Sequence, residues 1–565
     1  MAKRHVLVEL AHTKDLAESA FAARADPGAT LDKVPLPKIA GVNFDEGFPA
    51  TFLVGLRPRE QSLSALDTGP LLEVVAEPKA STYIVRAECD EAKIDNLADA
   101  KGVVGVFADV GIAPTQPMIC PGSPPLGTDS DVERLLCAPA MRDVGMDGTG
   151  VLVAIVDTGV NVAYLNSRGK TPTFDAARSW AWAGGLTPGS MPVDHGTMCA
   201  FDVCIAAPRC TLLDIALLHS LSGSPLVAGL LSDAVRAFSH LTAIMLAPRR
   251  AGELRSMVVN NSWGMFHPSW DLPVGHPGNY SDNPDHPFNR AVAALERAGA
   301  DILFAAGNCG SDCPDGRCQG ITANAIYGAN SHPAVLTVAG VDTLKRRVGY
   351  STQGPGRLTR MKPDLAGFTH FRGSGVYPAD GGTSAATPVV AGVVAALRSK
   401  LPFDPSTPGS APAAIRTLMT ATAEDLGPAG FDFDHGFGVV GGCALHTRFR
   451  PAVPEVPWLC RRYPWLCSGG RVRPDICMRF PQLCTDTLRR PSLSGAGHDL
   501  LPTPVSAPDM QEAGATEADL VQIAYEVGYA DARAWAPQPG VDDRPARGGG
   551  CGCVKGGGSD GPSSA

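Results

Sequence analysis

The central part of the chain carries short, continuous apolar runs separated by longer amphipathic stretches. Strands that are apolar on both faces are typical of a parallel sheet covered by helices on each side. The amphipathic stretches are long enough for the crossover helices that such a sheet needs. The pattern therefore predicts a layered α/β domain over residues 130–446. The predicted strands are residues 151–156, 257–259, 302–306 and 335–339, and the predicted helices are residues 226–246, 287–298 and 385–401.

The amino-terminal part has a different pattern, with shorter strand-like runs and polar helical stretches. This pattern favours a small α+β domain over residues 1–115. Residues 114–128 are rich in Pro, Gly and Ser, which predicts an exposed linker, and the linker between the domains is placed at residues 116–129. The predicted strands are residues 5–10, 51–56, 72–76, 83–87 and 103–107, and the predicted helices are residues 15–24 and 90–100.

Two copies of one cysteine motif follow the central domain, so that the tail is rich in Cys and Pro. Residues 460–467 and 477–484 both fit Cys-x-Arg-aromatic-Pro-x-Leu-Cys. Their four cysteines suit a tetrahedral thiolate site or two disulfides, and an apolar clasp on the core is the third alternative. We predict a structural or partner-docking role. The expected segments are this Cys-repeat region at residues 447–500, a helical segment at residues 501–540 and a disordered Gly-rich tail at residues 541–565.

Composition and charge narrow the class of protein. The chain has 565 residues, 44% of them hydrophobic, and a net charge of -9, which predicts a globular protein without the basic surface of a nucleic-acid binder. Its longest apolar stretch, residues 385–397, contains Pro388 and falls short of the roughly 20 residues that span a bilayer. The start of the chain lacks a signal-peptide pattern, which predicts a cytoplasmic protein and leaves export by another route open. There the 16 cysteines are expected to be reduced thiols or metal ligands.

Four polar motifs stand at the ends of predicted strands or at the starts of predicted helices, where open α/β sheets bind ligands. An alcohol is a weak nucleophile, so acyl transfer from an amide needs a base, commonly His, and a carboxylate that orients the base. Asp157, His195 and Ser384 supply these three groups. Asn308 and the backbone N–H of Ser384 can donate hydrogen bonds to the oxyanion that forms. The sequence thus predicts a catalytic triad that forms an acyl-enzyme intermediate.

The motifs resemble those of the subtilisin-like (subtilase) family of serine peptidases. Asp, His and Ser follow each other in the subtilisin order, and residues 382–388 are similar to the family's Gly-Thr-Ser-x-Ala-x-Pro signature. Asp157-Thr158-Gly159 and His195-Gly196-Thr197 resemble its other two signatures. The resemblance covers residues 130–446. It implies a subtilisin-like fold and serine endopeptidase activity on protein or peptide substrates, with no cofactor required.

The resemblance also implies roles for residues outside the triad. Asn308 would be the side-chain donor of the oxyanion hole, one strand would pair with the substrate backbone, and small residues would leave an open pocket for an apolar side chain. Calcium commonly stabilises family members, so structural calcium is an open expectation, but no acidic loop with ligand spacing stands out and metal ligands stay unassigned. The implied substrate-binding residues are Ser262, Trp263, Gly264, Ala306 and Gly307.

Residues 78–113 resemble the last part of a subtilase propeptide, in which a strand, a helix and a final strand precede the cleavage point. This implies that the amino-terminal domain assists folding and inhibits the enzyme until the chain cleaves itself within the linker. Near the catalytic His, Phe201-Asp202 stands where the family has a small residue and Gly, which implies that this helix is repacked. Cys199 stands close beneath the imidazole, as in the thiol-containing branches of the family.

Two other functions compete with this interpretation. A second Asp-Thr-Gly at residues 67–69 would suit an aspartic peptidase, but that model leaves His195, Asn308 and Ser384 without a role. A catalytically silent subtilase-fold protein that binds or docks a partner is the alternative from a different class, although degenerate scaffolds tend to lose a catalytic group and none is lost here. After Asn308, a metal site, a disulfide and unpaired thiols stay open for Cys309, Cys313 and Cys318.

Overall fold

The computed structural model describes residues 3–11, 36, 38, 39, 41–53, 56–58, 72–74, 82–115, 120, 124–220, 227–247, 255–450, 467, 468, 471 and 472. The chain divides into two units, residues 1–450 and residues 451–565. Several predictions lie outside the described residues: the helix at residues 15–24, the Asp-Thr-Gly at residues 67–69, most of the Cys-repeat region, the helical segment at residues 501–540 and the disordered tail at residues 541–565.

An antiparallel sheet forms the amino-terminal part of the first unit. Its elements are β1 (Lys3–Ala11), β2 (Val42–Phe44), β3 (Thr51–Leu53), β4 (Leu56–Pro58), β5 (Leu72–Val74), β6 (Thr82–Asp90), β7 (Val103–Ala108) and helix α1 (Ile94–Ala98). The strand order is β2-β6-β1-β7, with β3 also paired to β6, while β4 and β5 pair with each other. The predicted runs at residues 5–10, 83–87 and 103–107 lie within β1, β6 and β7, and residues 51–53 and 72–74 form β3 and β5. Strand β2 is an addition that the sequence pattern did not predict.

A parallel sheet of eight strands lies at the centre of the first unit. Its order is β10-β12-β9-β15-β17-β18-β19, with β11 paired to β12, and a second, antiparallel sheet has the order β13-β14-β8-β16. The strands are β8 (Gly111–Pro114), β9 (Val151–Asp157), β10 (Thr173–Phe174), β11 (Trp180–Ala181), β12 (Thr211–Ala216), β13 (His219–Ser220), β14 (Val227–Leu230), β15 (Ser256–Asn261), β16 (Trp263–Gly264), β17 (Ala300–Ala305), β18 (Val335–Val341) and β19 (Leu365–Phe368).

Helices cover both faces of the parallel sheet, which explains why its strands are apolar throughout. Two apolar clusters result, one containing Val203 and Val393 and the other containing Phe238 and Phe288. The helices are α2 (Asp129–Leu135), α3 (Ala138–Asp143), α4 (Val162–Ser167), α5 (His195–Ala206), α6 (Leu231–Leu246), α7 (Pro287–Arg297), α8 (Gly382–Arg398), α9 (Pro412–Ala421) and α10 (Gly442–Phe449).

The bounds of helices α6 and α8 differ from those predicted. Helix α6 begins at Leu231, because the residues before it form strand β14. Strand β14 pairs with β8, and local periodicity does not predict contacts between segments that are far apart in the sequence. Helix α8 begins at Gly382 and ends at Arg398, three residues earlier at each end than predicted. Ser384 therefore lies inside the first turn of the helix.

The amino-terminal sheet packs on helices α6 and α7. Apolar residues of β1, such as Val6 and Val8, share one core cluster with Phe238 of α6 and Phe288 of α7. Charged pairs join the same surfaces. Glu9 and Arg290 lie 2.9 Å apart, and Arg86 lies 2.6 Å from Asp233 and 3.4 Å from Asp109. Glu9 and Asp109 are buried, so removing one partner would leave an uncompensated charge.

The first residues of the segment predicted as an exposed linker are buried. Strand β8 lies between β14 and β16, and Thr115, the residue after it, is 1% exposed. Cys120 is also buried, against Val348 and Tyr350. The predicted exposure is therefore wrong for Pro114, Thr115 and Cys120, because partners distant in sequence cover them.

Four cysteines of the first unit form two disulfides, Cys137–Cys443 and Cys309–Cys318. The general expectation of reduced thiols or metal ligands is wrong for Cys137 and Cys443, while for Cys309 and Cys318 the disulfide that the sequence left open is confirmed. In the second unit, strands β20 (Cys467–Ser468) and β21 (Arg471–Val472) pair with each other.

Among the helices that the structure describes, none combines the length and apolar character of a membrane span.

Candidate active site

Asp157 and His195 meet at the carboxyl edge of the parallel sheet. Asp157 is the last residue of β9 and His195 the first of α5, and both are almost completely buried. His195 Nδ1 lies 2.8 Å from Asp157 Oδ1. A carboxylate at this position holds the proton on Nδ1, which leaves Nε2 to act as a base. His195 Nε2 has no hydrogen-bond partner among the described residues.

Glycine allows β9 and α5 to approach closely enough for this contact. A Cβ atom at Gly196 would lie 2.5 Å from the carbonyl oxygen of Gly159, far inside van der Waals contact. The Gly196 N–H instead donates to Thr158 Oγ1 at 2.9 Å. The Asp-Thr-Gly and His-Gly-Thr motifs therefore fit together as one unit.

Ser384 lies in the first turn of α8 and points at the segment that follows β8. Its Oγ donates a hydrogen bond to the carbonyl oxygen of Thr115, and the Thr115 Oγ1 lies 2.5 Å away. Pro388 has no N–H to donate to the Ser384 carbonyl four residues earlier. Ser262 Oγ donates to that carbonyl instead, at 3.0 Å, so the Ser384 carbonyl has a hydrogen-bond partner.

Asn308 follows β17 and faces the start of α8. Gly307 precedes it with a φ of +103°, a conformation that favours glycine. Asn308 Oδ1 accepts hydrogen bonds from Thr383 N–H at 3.0 Å and Thr383 Oγ1 at 3.1 Å. A backbone N–H can only donate, so these bonds fix the orientation of the amide, and its NH₂ group carries the donors. Thr383 is a supporting residue whose role sequence reasoning missed.

The segment 111–115 lies as an extended strand across the site. Thr115 N–H donates to the Ser262 carbonyl at 2.9 Å, and Gly264 pairs with Ala113. On the other edge, Gly229 of β14 pairs with Ile112. The structure thus brings Ser262, Trp263 and Gly264 against a peptide backbone. It places Ala306 and Gly307 directly before Asn308, where Gly307 N–H donates to Thr383 Oγ1 at 3.1 Å.

Comparison with known proteins identifies the family. The subtilase family model matches residues 148–438, about half of the chain. The chain belongs to the subtilase family. This subtilase is 27% identical to a subtilisin of Bacillus pumilus over 54% of the chain and 93% of that protein. It is also 27% identical to subtilisin E of Bacillus subtilis, covering 67% of it, and 32% identical to the human membrane-bound transcription factor site-1 protease over 30% of the chain and 15% of that protein. Family membership indicates a serine-type peptidase that acts on protein substrates.

Cys199 completes a buried cluster beneath the imidazole of this subtilase. Its Sγ lies 3.9 Å from His195 Nδ1 and 3.8 Å from Asp157 Oδ2. Burial, reinforced by the Asp157 charge, raises the pKa of the Cys199 thiol well above its usual value, so it stays protonated. These three residues could hold a metal by distance, but nitrogen and sulfur donors do not suit calcium. Structural calcium stays a prediction.

Two buried acids link the helices that carry His195 and Ser384. Asp202 is on α5, and Asp380 lies just before α8, where Ser374 N–H and Oγ donate to it at 2.5 Å. Burial raises the pKa of Asp380 to about 6. Burial and the neighbouring Asp380 charge raise the pKa of Asp202 well above its usual value, against the opposing charge of Lys170. Asp202 is one of the two residues, with Phe201, for which the resemblance implied a repacked helix.

We expect Asp202→Asn to reduce the loss of stability that the wild-type chain shows with rising pH. A raised carboxyl pKa stabilises the fold fully below the ordinary value of about 4, and this stability is lost as pH rises through the folded pKa, here about 6 for Asp380. Asn cannot ionise, so the buried charge that Asp202 would acquire at high pH is absent from the variant. Thermal unfolding at pH 4, 6 and 8 in a Ser384→Ala background, which prevents self-digestion, measures the effect. Exposed Asp99→Asn is the control, and equal pH dependence of wild type and Asp202→Asn would contradict the expectation.

Proposed function

We propose that this chain is a serine endopeptidase in which Ser384 is the nucleophile, His195 the general base and Asp157 the residue that orients His195. The observation that carries the proposal is the hydrogen bond from Ser384 Oγ to the carbonyl of Thr115, made while Thr115 N–H pairs with Ser262. An extended peptide thus presents one carbonyl to the nucleophile. A protein that only docks a folded partner would not need a serine hydroxyl in contact with the carbonyl of an extended peptide.

The proposed reaction assigns one role to each of these groups. Ser384 Oγ attacks the peptide carbonyl carbon while His195 Nε2 takes the hydroxyl proton. The Asn308 NH₂ group and the Ser384 N–H donate to the oxyanion of the tetrahedral intermediate. Its collapse breaks the C–N bond, and His195 returns the proton to the leaving amine. Water then attacks the acyl-enzyme by the same route and releases the acid.

We further propose that the chain cleaves itself between Thr115 and Gln116. Support comes from the seating of residues 111–115 between β14 and β16, which leaves Thr115 at the position of the residue that donates the scissile carbonyl. The amino-terminal domain, held on α6 and α7 by its apolar face and by the Glu9–Arg290 pair, keeps that segment in place after cleavage. It would act as an inhibitor until it dissociates.

Intact-protein mass spectrometry tests the proposal. Wild-type protein is expected to yield fragments that end at Thr115 and begin at Gln116, and the larger fragment is expected to take one fluorophosphonate adduct. Ser384→Ala is expected to stay whole and unlabelled, because it lacks the nucleophile. A folded wild type that is neither cut nor labelled would support the silent-scaffold alternative, and a cut elsewhere would contradict the assigned bond.

A further inference from the structure

The loop after Asn308 is tied back onto Asn308 itself. Cys309 and Cys318, nine residues apart, form a disulfide, and Asp315 N–H donates to the Asn308 carbonyl at 2.8 Å. Residues Gly316–Cys318 then form a single 3₁₀ turn, capped by the Asp315 side chain, which accepts from Arg317 N–H. The loop is thereby held next to the oxyanion residue by a covalent bond and a backbone hydrogen bond.

Arg317 is fixed in direction by this loop. Asp315 accepts from its Nε at 3.0 Å and its Nη2 at 2.6 Å, and the Phe266 ring centroid lies 3.7 Å from the guanidinium carbon. Burial alone would raise the pKa of Asp315, but the hydrogen bonds and charge of Arg317 outweigh it and lower that pKa. The paired carboxylate and the stacked ring leave Nη1 as the end of the fork that faces outward from the pair.

Arg317 Nη1 donates to the carbonyl oxygen of Pro114 at 3.0 Å, across 203 residues of sequence. Pro114 directly precedes Thr115, whose carbonyl contacts Ser384. In the numbering of substrate residues from the scissile bond, Thr115 is P1 and Pro114 is P2. If Arg317 had a purely structural role, Asp315 and Phe266 would be sufficient partners. That role does not explain the charge-assisted hydrogen bond to Pro114, which belongs to a segment that leaves the site after the proposed cleavage.

We infer that Arg317 is a substrate-binding residue that holds the P2 carbonyl of peptide substrates, an inference that rests on the proposed function. The contact is made to a backbone carbonyl, so it selects no particular P2 side chain. It requires instead that the P1 nitrogen be acylated, which favours the interior of a peptide over a free amino terminus. The site therefore takes endopeptidase substrates that extend at least one residue before P1.

Two substrates separate this role from an indirect effect on Asn308. Acetyl-Ile-Ala-Pro-Thr-p-nitroanilide copies residues 112–115 and has a P2 carbonyl, whereas p-nitrophenyl acetate uses the nucleophile and the oxyanion donors but has none. A hydrogen bond to a charged group is worth enough to change kcat/KM about 10- to 100-fold. Arg317→Met, which keeps the apolar stem over Phe266, is expected to lower the peptide-to-ester ratio of kcat/KM by about that factor.

Rates are expressed per fluorophosphonate-reactive site, so that a partly folded preparation does not enter the ratio. Arg317→Lys, which keeps the charge beside Asp315 but not the fork, is expected to lower the ratio as well. Arg346→Met is the matched control, since Arg346 is exposed and pairs with Asp342 at 2.8 Å, and its ratio should equal that of the wild type. An unchanged ratio in Arg317→Met, whether both rates fall together or neither falls, would overturn the inference alone. Wild-type protein inactive on both substrates would contradict the proposed function itself.

Discussion

Replacing Ser384 with Ala is expected to reduce peptide hydrolysis by about 10⁶-fold, the order of loss when a triad enzyme loses its nucleophile. The hydroxyl of Ser384 contacts the Thr115 carbonyl and is the nucleophile of the proposed triad. The neighbouring Cys199 thiol is not expected to substitute for it, because burial keeps that thiol protonated.

A graded comparison makes this expectation specific. Asn308→Ala removes one oxyanion donor and is expected to cost about 10²- to 10³-fold in turnover, because the Ser384 N–H still donates. Turnover of the same peptide by wild type, Ser384→Ala and Asn308→Ala measures both. Ser167→Ala, on the exposed end of α4, is the control for a serine change elsewhere. Equal losses in the two site variants would contradict the assigned roles, and residual activity in Ser384→Ala well above this level would point to another nucleophile.

Local pattern was sufficient for four of the eight strands of the parallel sheet, β9, β15, β17 and β18, and for the candidate residues at its edge. Strands such as β9 and β15 are buried on both faces, so each can be recognised from its own run of apolar residues. The carboxyl ends of parallel strands meet at one edge, so the positions of Asp157 and Asn308 at strand ends predicted their proximity to the site. The roles given to these residues stay predictions until activity is measured.

Contacts between distant segments could not be predicted in the same way. Pro- and Gly-rich residues before position 128 predicted exposure, but Thr115 is buried because β14 and β16 flank β8. Arg317 contacts Pro114 across 203 residues, and no local pattern distinguishes this arginine from an exposed one. Asp202 and Asp380 come together for the same reason, because α5 and α8 pack side by side.

The cysteines show the same limit. Sixteen cysteines allow very many pairings, and sequence spacing does not choose among them. Cys137 and Cys443, 306 residues apart, pair because helix α3, which follows Cys137, packs on helix α10, which contains Cys443. Disulfides are typical of oxidising compartments, so the predicted cytoplasmic location gains no support from these two bonds and stays a prediction.

Replacing Arg398 with Met is expected to lower the free energy of unfolding by about 3–5 kcal/mol, the usual cost of breaking a buried ion pair. Arg398 and Asp301 are almost completely buried, and the guanidinium makes two hydrogen bonds to the carboxylate, at 2.5 Å and 2.8 Å. Burial raises the pKa of Asp301, and Arg398 opposes that rise. Without Arg398 the pKa should rise further, so the destabilisation should be smaller at pH 4, where Asp301 can take a proton, than at pH 8.

The matched control is the double variant Asp301→Leu/Arg398→Met, which replaces both charges with apolar groups and is expected to recover most of the lost stability. Urea unfolding of both variants in the Ser384→Ala background measures the difference. A double variant as unstable as Arg398→Met would show that the unpaired charge does not cause the effect, and that the lost packing and the lost hydrogen bonds from Arg398 Nη1 to the carbonyls of Leu401 and Ser410 do. We expect the pair to matter for catalysis because Asp301 is the second residue of strand β17, which leads to Asn308, and Arg398 is the last residue of helix α8, whose first turn contains Ser384. Holding these two elements together at one end keeps their other ends, and with them the nucleophile and its oxyanion donor, in a constant relation.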